Sequence, residues 1–79
     1  MLSANRSYRL VHRRGGFGPT ILAGPGRVDQ IEIVELSSGE VVLLWDRTAR
    51  EATKMVRALR RDLAALDAEG FWAHWGAID

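Results

Sequence analysis

The sequence contains no cysteine among its 79 residues. This absence excludes disulfide bonds and thiolate metal sites, so neither can supplement the hydrophobic core. A chain of this length is predicted to form one domain, residues 1–79, which buries only about 60% of the surface that the unfolded chain exposes. Additional stability then has to come from aromatic packing or from a second subunit, and we expect a homodimer.

The chain also lacks a long apolar run. No uncharged apolar segment approaches the roughly 20 residues that span a bilayer, and no basic segment followed by an apolar one opens the chain. We therefore expect a cytoplasmic protein that does not bind membranes. Lys54 is the one lysine beside ten arginines, and alanine is plentiful, which indicates a GC-rich bacterial source.

Motifs that carry chemistry are scarce as well. The glycine-rich segment GGFGPTILAGPG has neither the Gly-Lys-Ser/Thr ending of a phosphate loop nor the context of a dinucleotide fingerprint, and turns explain it better. His12 and His74 belong to no pair with metal-ligand spacing, and the chain has no nucleophile elbow. We predict no catalytic residue, cofactor, metal or small-molecule ligand. An enzyme whose site forms only between subunits is the weakest alternative.

Four short segments have the composition or the period-two alternation of β-strands. They are SYRLVHR, TILA, QIEIVEL and EVVLLW, at 7–13, 20–23, 30–36 and 40–45. Glycine-containing turns separate them, and Gly39 is expected to take the left-handed conformation in the hairpin loop SSG. The segments predict an antiparallel four-stranded meander over about 7–45.

A long amphipathic helix is predicted after the strands, over about 49–69. Thr48 and Glu51 have the spacing of a capping box, and apolar residues then recur at helical intervals on one face. Gly70 is expected to end the helix in the left-handed conformation, with Phe71 packed back on Leu66. The predicted fold is therefore α+β, in the order β-β-β-β-α, with the helix on one sheet face.

An aromatic tail, 70–79, follows the predicted helix. On the last strand, Val41, Leu43 and Trp45 are expected to face one way, and Val42 and Leu44 the other. One helix covers only one face of a sheet, so the second face needs another cover. We expect Trp72 and Trp75 to pack over Val42 and Leu44, either within one subunit or across a dimer interface.

Charge is segregated along the chain. Residues 1–27 carry five bases and no acid, residues 28–46 five acids and no base, residues 47–61 six bases and one acid, and residues 62–79 four acids and no base. Within the third block, a row of basic residues is predicted to project from the helix, beginning beside its start. This basic stripe comprises Arg47, Arg50, Lys54, Arg57 and Arg61.

The basic stripe has two interpretations. It can contact the phosphates of a nucleic acid, or it can be a solvated face that docks on acidic strands of another subunit. Strand meanders followed by one helix resemble, in layout alone, single-strand binders of the transcriptional-coactivator type. Because the net charge is only +1, we favour a cytoplasmic accessory or regulatory domain that acts through protein association, with nucleic-acid binding as the alternative.

Overall fold

The computed structural model describes residues 2–15 and 28–78 of the chain. A short 3-10 helix, Ala4–Arg6, forms an N-terminal turn. It is followed by strands β1 (Tyr8–Arg13), β2 (Val28–Glu35) and β3 (Val41–Thr48), and by helices α1 (Ala49–Ala65) and α2 (Ala68–Trp75). The predicted α+β class is confirmed.

The strands form an antiparallel sheet in the order β1-β2-β3. The predicted strand at 20–23 lies outside the described residues. A meander would place that strand between β1 and β2, but these two strands pair directly, from Tyr8 opposite Glu35 to Arg13 opposite Gln30. The predicted strand order is therefore wrong. Because β2 is central, its Ile31 and Ile33 are fully buried.

Gly39 in the β2–β3 hairpin has the predicted left-handed conformation, but the loop also includes Leu36 and is longer than the predicted SSG. Gly39 has φ 77°, in the left-handed region that glycine adopts without a steric penalty. The Gly39 amide donates to the Glu35 carbonyl at 2.8 Å, and the Glu35 amide donates to the Glu40 carbonyl at 2.9 Å. The hairpin fixes the register that follows.

A β-bulge interrupts the alternation of β3. Ile33 lies opposite Leu43, but Val34 lies opposite Val41, so Val42 is one extra residue in β3. Val42 packs against the hydrophobic core, while Val41 is exposed. The predicted facing is thus wrong for Val41 and Val42, because strict alternation assumes an uninterrupted ladder.

Helix α1 begins as predicted. The Glu51 amide donates to Thr48 Oγ1 at 3.3 Å, and the Thr48 amide donates to Glu51 Oε1 at 3.4 Å, which completes the capping box. The face of α1 that packs on the sheet is buried at four apolar positions. These are Ala52, Val56, Leu59 and Leu63.

The predicted end of the helix is wrong. The chain leaves α1 after Ala65, since Leu66 is extended with φ −103° and ψ 158°. Asp67 then caps a second helix, accepting the Gly70 amide at 2.8 Å. Gly70 therefore lies in the first turn of α2, because the local cap that Asp67 provides starts a new helix before a glycine stop can form.

The core lies between the sheet and the two helices. Ile31, Ile33 and Trp45 face α1, and α2 adds Phe71 and Trp75. The N-terminal turn seals one end: Ala4 is fully buried and its amide donates to the Leu66 carbonyl at 2.7 Å.

Candidate interaction sites

The sheet has one face that no described helix covers. Side chains alternate across a strand, so the buried Ile31 and Ile33 place Glu32 and Val34 on the opposite side. Their cross-strand neighbours lie there too. We call this side the outer face; it comprises Arg9, Val11, Arg13, Gln30, Glu32, Val34, Val41, Leu44 and Asp46.

The exposed apolar residues of the outer face lie beside a central acid, Glu32, and further charges lie at its edges. Leu44 is 52% exposed and Val41 is 48% exposed. Glu32 lies between Val11 and Leu44 in the register, and Arg13 Nε contacts Glu32 Oε2 at 3.2 Å. These exposed aliphatic side chains make the outer face a candidate protein interaction site.

The two tail tryptophans have different environments. Trp75 is 6% exposed; its ring packs edge-on against Trp45, with centroids 5.9 Å apart. Trp72 is 43% exposed and stacks on Tyr8 at 6.2 Å. The predicted common packing over Val42 and Leu44 is wrong within the chain. Val42 and Trp75 share the core, whereas Leu44 lies on the outer face.

The separation of the tryptophans follows from α2. Phe71 and Trp75 are four residues apart and form the buried side of this helix. Trp72, one position after Phe71, then falls on a different side. The spacing of Trp72 and Trp75 predicts that the two rings share one side of a helix. That prediction fails because Phe71 is not part of a helix stop: it lies in α2 and shares the buried side with Trp75.

The basic stripe is exposed along α1. Arg50, Lys54, Arg57 and Arg61 are all exposed, and Arg47, on β3, is half-buried. Arg61 Nε contacts Asp62 Oδ1 at 3.3 Å. Within residues 2–15 and 28–78, no ion pair joins Arg50, Lys54 or Arg57 to an acid. The three charges at the centre of the stripe are thus available to an anionic partner.

A groove lies between β1 and α1 and was missed by sequence reasoning. Its volume is about 400 Å³, and Tyr8 and Leu10 of β1 and Arg60 and Leu63 of α1 line it. The remaining lining residues are Asn5, Arg9 and Leu36. Nothing in the sequence relates Arg60 to Arg9, because their proximity depends on how α1 crosses the sheet.

A buried carboxylate marks the far end of β1. Asp29 is 1% exposed; its Oδ2 lies 2.9 Å from His12 Nε2, and its Oδ1 accepts the Gly15 amide at 2.9 Å. These contacts fix the chain where it leaves β1. Within the described residues, no group of three metal-ligating side chains is present.

Comparison of the chain with protein-family models, curated proteins and solved structures found no match. None of the helices in the described part of the chain has the length and apolarity needed to cross a bilayer. Functional inference therefore depends on the outer face, the basic stripe and the groove.

Proposed function

We propose that the chain is a homodimeric accessory or regulatory protein of the cytoplasm, which acts through protein association and uses its outer face to bind a second copy. The observation that supports this is the arrangement of charges in one cross-strand row. Arg13 lies opposite Gln30, and Gln30 lies opposite Asp46, so the row runs from a base on one sheet edge to an acid on the other.

A two-fold axis along β2, between two stacked outer faces, places β1 of each copy over β3 of its partner. Arg13 then meets Asp46 at both ends of the interface, and Val11 meets Leu44 near its centre. Identical patches have to be self-complementary in such a dimer. The row of Arg13 and Asp46 meets that condition for charge and the neighbouring row of Val11 and Leu44 for apolar contact, while Glu32 of each copy lies near the axis with its charge offset by Arg13. Sheet twist rotates one layer by about 30° relative to the other. The arginine side chains are long enough to reach the partner's Asp46 despite this rotation.

The outer face is small, which sets the expected affinity. Three strands spaced about 4.8 Å apart give a narrow contact, so the buried area falls near the lower limit of roughly 1,000 Å² for specific interfaces. We expect a dimer that dissociates in the micromolar range. Association of this strength would respond to changes in protein concentration and in charge.

The test is the oligomeric state, measured by sedimentation velocity over a wide range of protein concentration. Leu44→Glu and Asp46→Arg should each weaken dimerisation, because the first replaces an apolar contact with a second acid beside Glu32 and the second opposes Arg13 of the partner. Leu36→Glu is the matched control: Leu36 is 47% exposed, but it lines the groove. A chain that stays monomeric at the highest concentration would refute the proposal, as would equal effects of all three substitutions.

Nucleic-acid binding is the second candidate, and the exposed Arg50, Lys54 and Arg57 of the basic stripe favour it. Arg50 and Arg61 are eleven positions apart, so the stripe spans about 16 Å at 1.5 Å per residue. Phosphate contacts would produce a steep loss of affinity with salt.

Binding of labelled single- and double-stranded oligonucleotides should be abolished by Arg57→Glu with Arg61→Glu and unaffected by Arg6→Glu, an exposed control on the N-terminal turn. The absence of binding at low salt would exclude this candidate.

A further inference from the structure

The outer edge of β1 has backbone groups that β2 does not use. The Leu36 amide donates to the Ser7 carbonyl at 2.9 Å, which identifies this pair as a hydrogen-bonded one in the β1–β2 ladder. Hydrogen-bonded pairs alternate along an antiparallel ladder, so Arg9 and Val11 bind β2. Tyr8 and Leu10 therefore direct their amide and carbonyl groups away from β2, toward the side of β1 where residues 2–15 and 28–78 place no further strand; we call this side the β1 edge.

The groove lies at this same edge. Tyr8 and Leu10 form its β1 side, while Leu63 and Arg60 contribute from α1. A volume of about 400 Å³ is within the range of ligand sites in proteins. An extended chain along β1 would thus find backbone partners and an apolar recess together.

The charge of the groove selects among extended partners. Arg9 and Arg60 are its charged lining residues, and both are exposed; none of the seven lining residues is acidic. Alternation along β1 places Arg9 on the outer side of the sheet and Leu10 on the side of α1. A complementary peptide strand presents apolar side chains toward Leu10 and Leu63 and acidic side chains on its other side.

We propose that the β1 edge and the groove bind an extended acidic peptide of a partner protein, which adds a strand beside β1 to the sheet that the structure describes. Main-chain hydrogen bonds to Tyr8 and Leu10 supply affinity, and the apolar recess and Arg9 supply sequence preference. This site shares only Arg9 with the outer face, because its other lining residues lie at the edge of β1 or on the opposite side of the sheet.

The experiment is an NMR titration of the ¹⁵N-labelled full chain. The probe is a short acetylated and amidated peptide in which valine alternates with glutamate, added to about 2 mM, a range that detects the weak affinity expected of a generic sequence. Hydrogen exchange of the Tyr8 and Leu10 amides should slow about threefold for a dissociation constant near 1 mM, while Arg9 and Val11 should change little because β2 already protects them.

Matched peptides and variants separate strand addition from simple adhesion. N-methylation of alternate peptide amides should weaken binding by roughly tenfold or more, because it removes main-chain donors and keeps every side chain. Replacing glutamate by lysine should have a similar effect. Arg9→Glu should weaken binding of the original peptide, because Arg9 lies on the side of the sheet that the glutamates face, whereas Arg57→Glu, on the basic stripe, should not.

Four outcomes would overturn the proposal. Equal protection of Tyr8, Leu10, Arg9 and Val11 in the free protein would mean that the edge is already paired. Undiminished binding of the N-methylated peptide would mean that the groove binds amphiphiles without strand addition. Protection of Tyr8 and Leu10 that grows with protein concentration alone would mean that a second copy occupies the edge, and the fourth outcome is no binding at the highest peptide concentration. Asp46→Arg tests the dimer separately, since it lies outside the groove.

Discussion

Trp75 donates a hydrogen bond from its indole Nε1 to Asp62 Oδ2 at 2.9 Å, and this bond joins α2 to α1. Asp62 lies in the last turn of α1, and Trp75 ends α2. Because the bond holds an indole that is itself buried, it orients the largest side chain that α2 contributes to the core. The interaction links a polar group in one helix to the packing of the other.

Loss of the Asp62 carboxylate should destabilise the fold. Asp62→Ala leaves the Trp75 N–H without its acceptor, which we expect to lower the free energy of unfolding by about 1–3 kcal/mol. Asp62→Asn retains an oxygen acceptor and should cost less. Urea denaturation followed by tryptophan fluorescence measures both. Arg61→Ala removes only the exposed contact to Asp62 and should change stability by less than about 0.5 kcal/mol.

Truncation of the two tail tryptophans should have unequal effects. Trp75→Ala empties a core position and is expected to cost about 3–5 kcal/mol, a large part of the stability of a small fold. Trp72→Ala removes a half-exposed ring stacked on Tyr8 and should cost much less. Thermal unfolding by circular dichroism compares the two. Equal losses would contradict the placement of Trp75 in the core and of Trp72 at the surface.

Substitution of Gly39 should act through the backbone alone. A Cβ atom built at Gly39 would meet nothing within 4 Å, so the cost of Gly39→Ala comes from φ 77° and should be about 1 kcal/mol. Gly39→Asn should cost less, because asparagine tolerates this conformation better. The midpoint of urea unfolding would rank the variants as Gly, Asn and Ala. An alanine variant as stable as the parent protein would argue against the left-handed turn.

Removal of the Asp29 carboxylate should release the chain after β1. Asp29→Ala leaves the Gly15 amide and His12 without this acceptor, and we expect a loss of about 2–3 kcal/mol, as is usual when buried polar partners are deleted. Faster hydrogen exchange of the Gly15 amide should accompany it. Asp46→Ala, at an exposed position of β3, is the control and should change monomer stability little when measured at low protein concentration. Unchanged exchange at Gly15 would show that other contacts hold this segment.

Local signals predicted the fold well where one short motif decides the structure. The capping box of Thr48 and Glu51 predicted the start of α1, and the loop SSG predicted the conformation of Gly39. Both depend on hydrogen bonds or steric limits within a few residues. The buried face of α1 followed from periodicity, because a helix that crosses a sheet has to bury its apolar side.

Predictions failed where two local signals competed or where distant residues decided. Asp67 and Gly70 offered a new helix start and a helix stop within four positions, and the Asp67 cap formed. The bulge at Val42 depends on the pairing of β3 with β2, which composition does not encode. The groove likewise depends on the position of Arg60 relative to β1, which the sequence does not specify. The basic stripe lies within one helix, so the spacing of its basic residues along the sequence was enough to predict it.

The bond from the Ala4 amide to the Leu66 carbonyl has a consequence for the order of folding during synthesis. The Ala4 amide binds a carbonyl 62 positions later in the chain, and the turn also packs on α1 and α2, so it emerges from the ribosome long before these partners exist. The strands can pair earlier, since β2 and β3 are separated by one short loop. Until α1 and α2 have both been synthesised, the N-terminal turn has no partner on which to pack and remains accessible to proteases and chaperones. Docking of this segment should therefore be among the last events of folding, which pulse-labelling of nascent chains of increasing length can reveal.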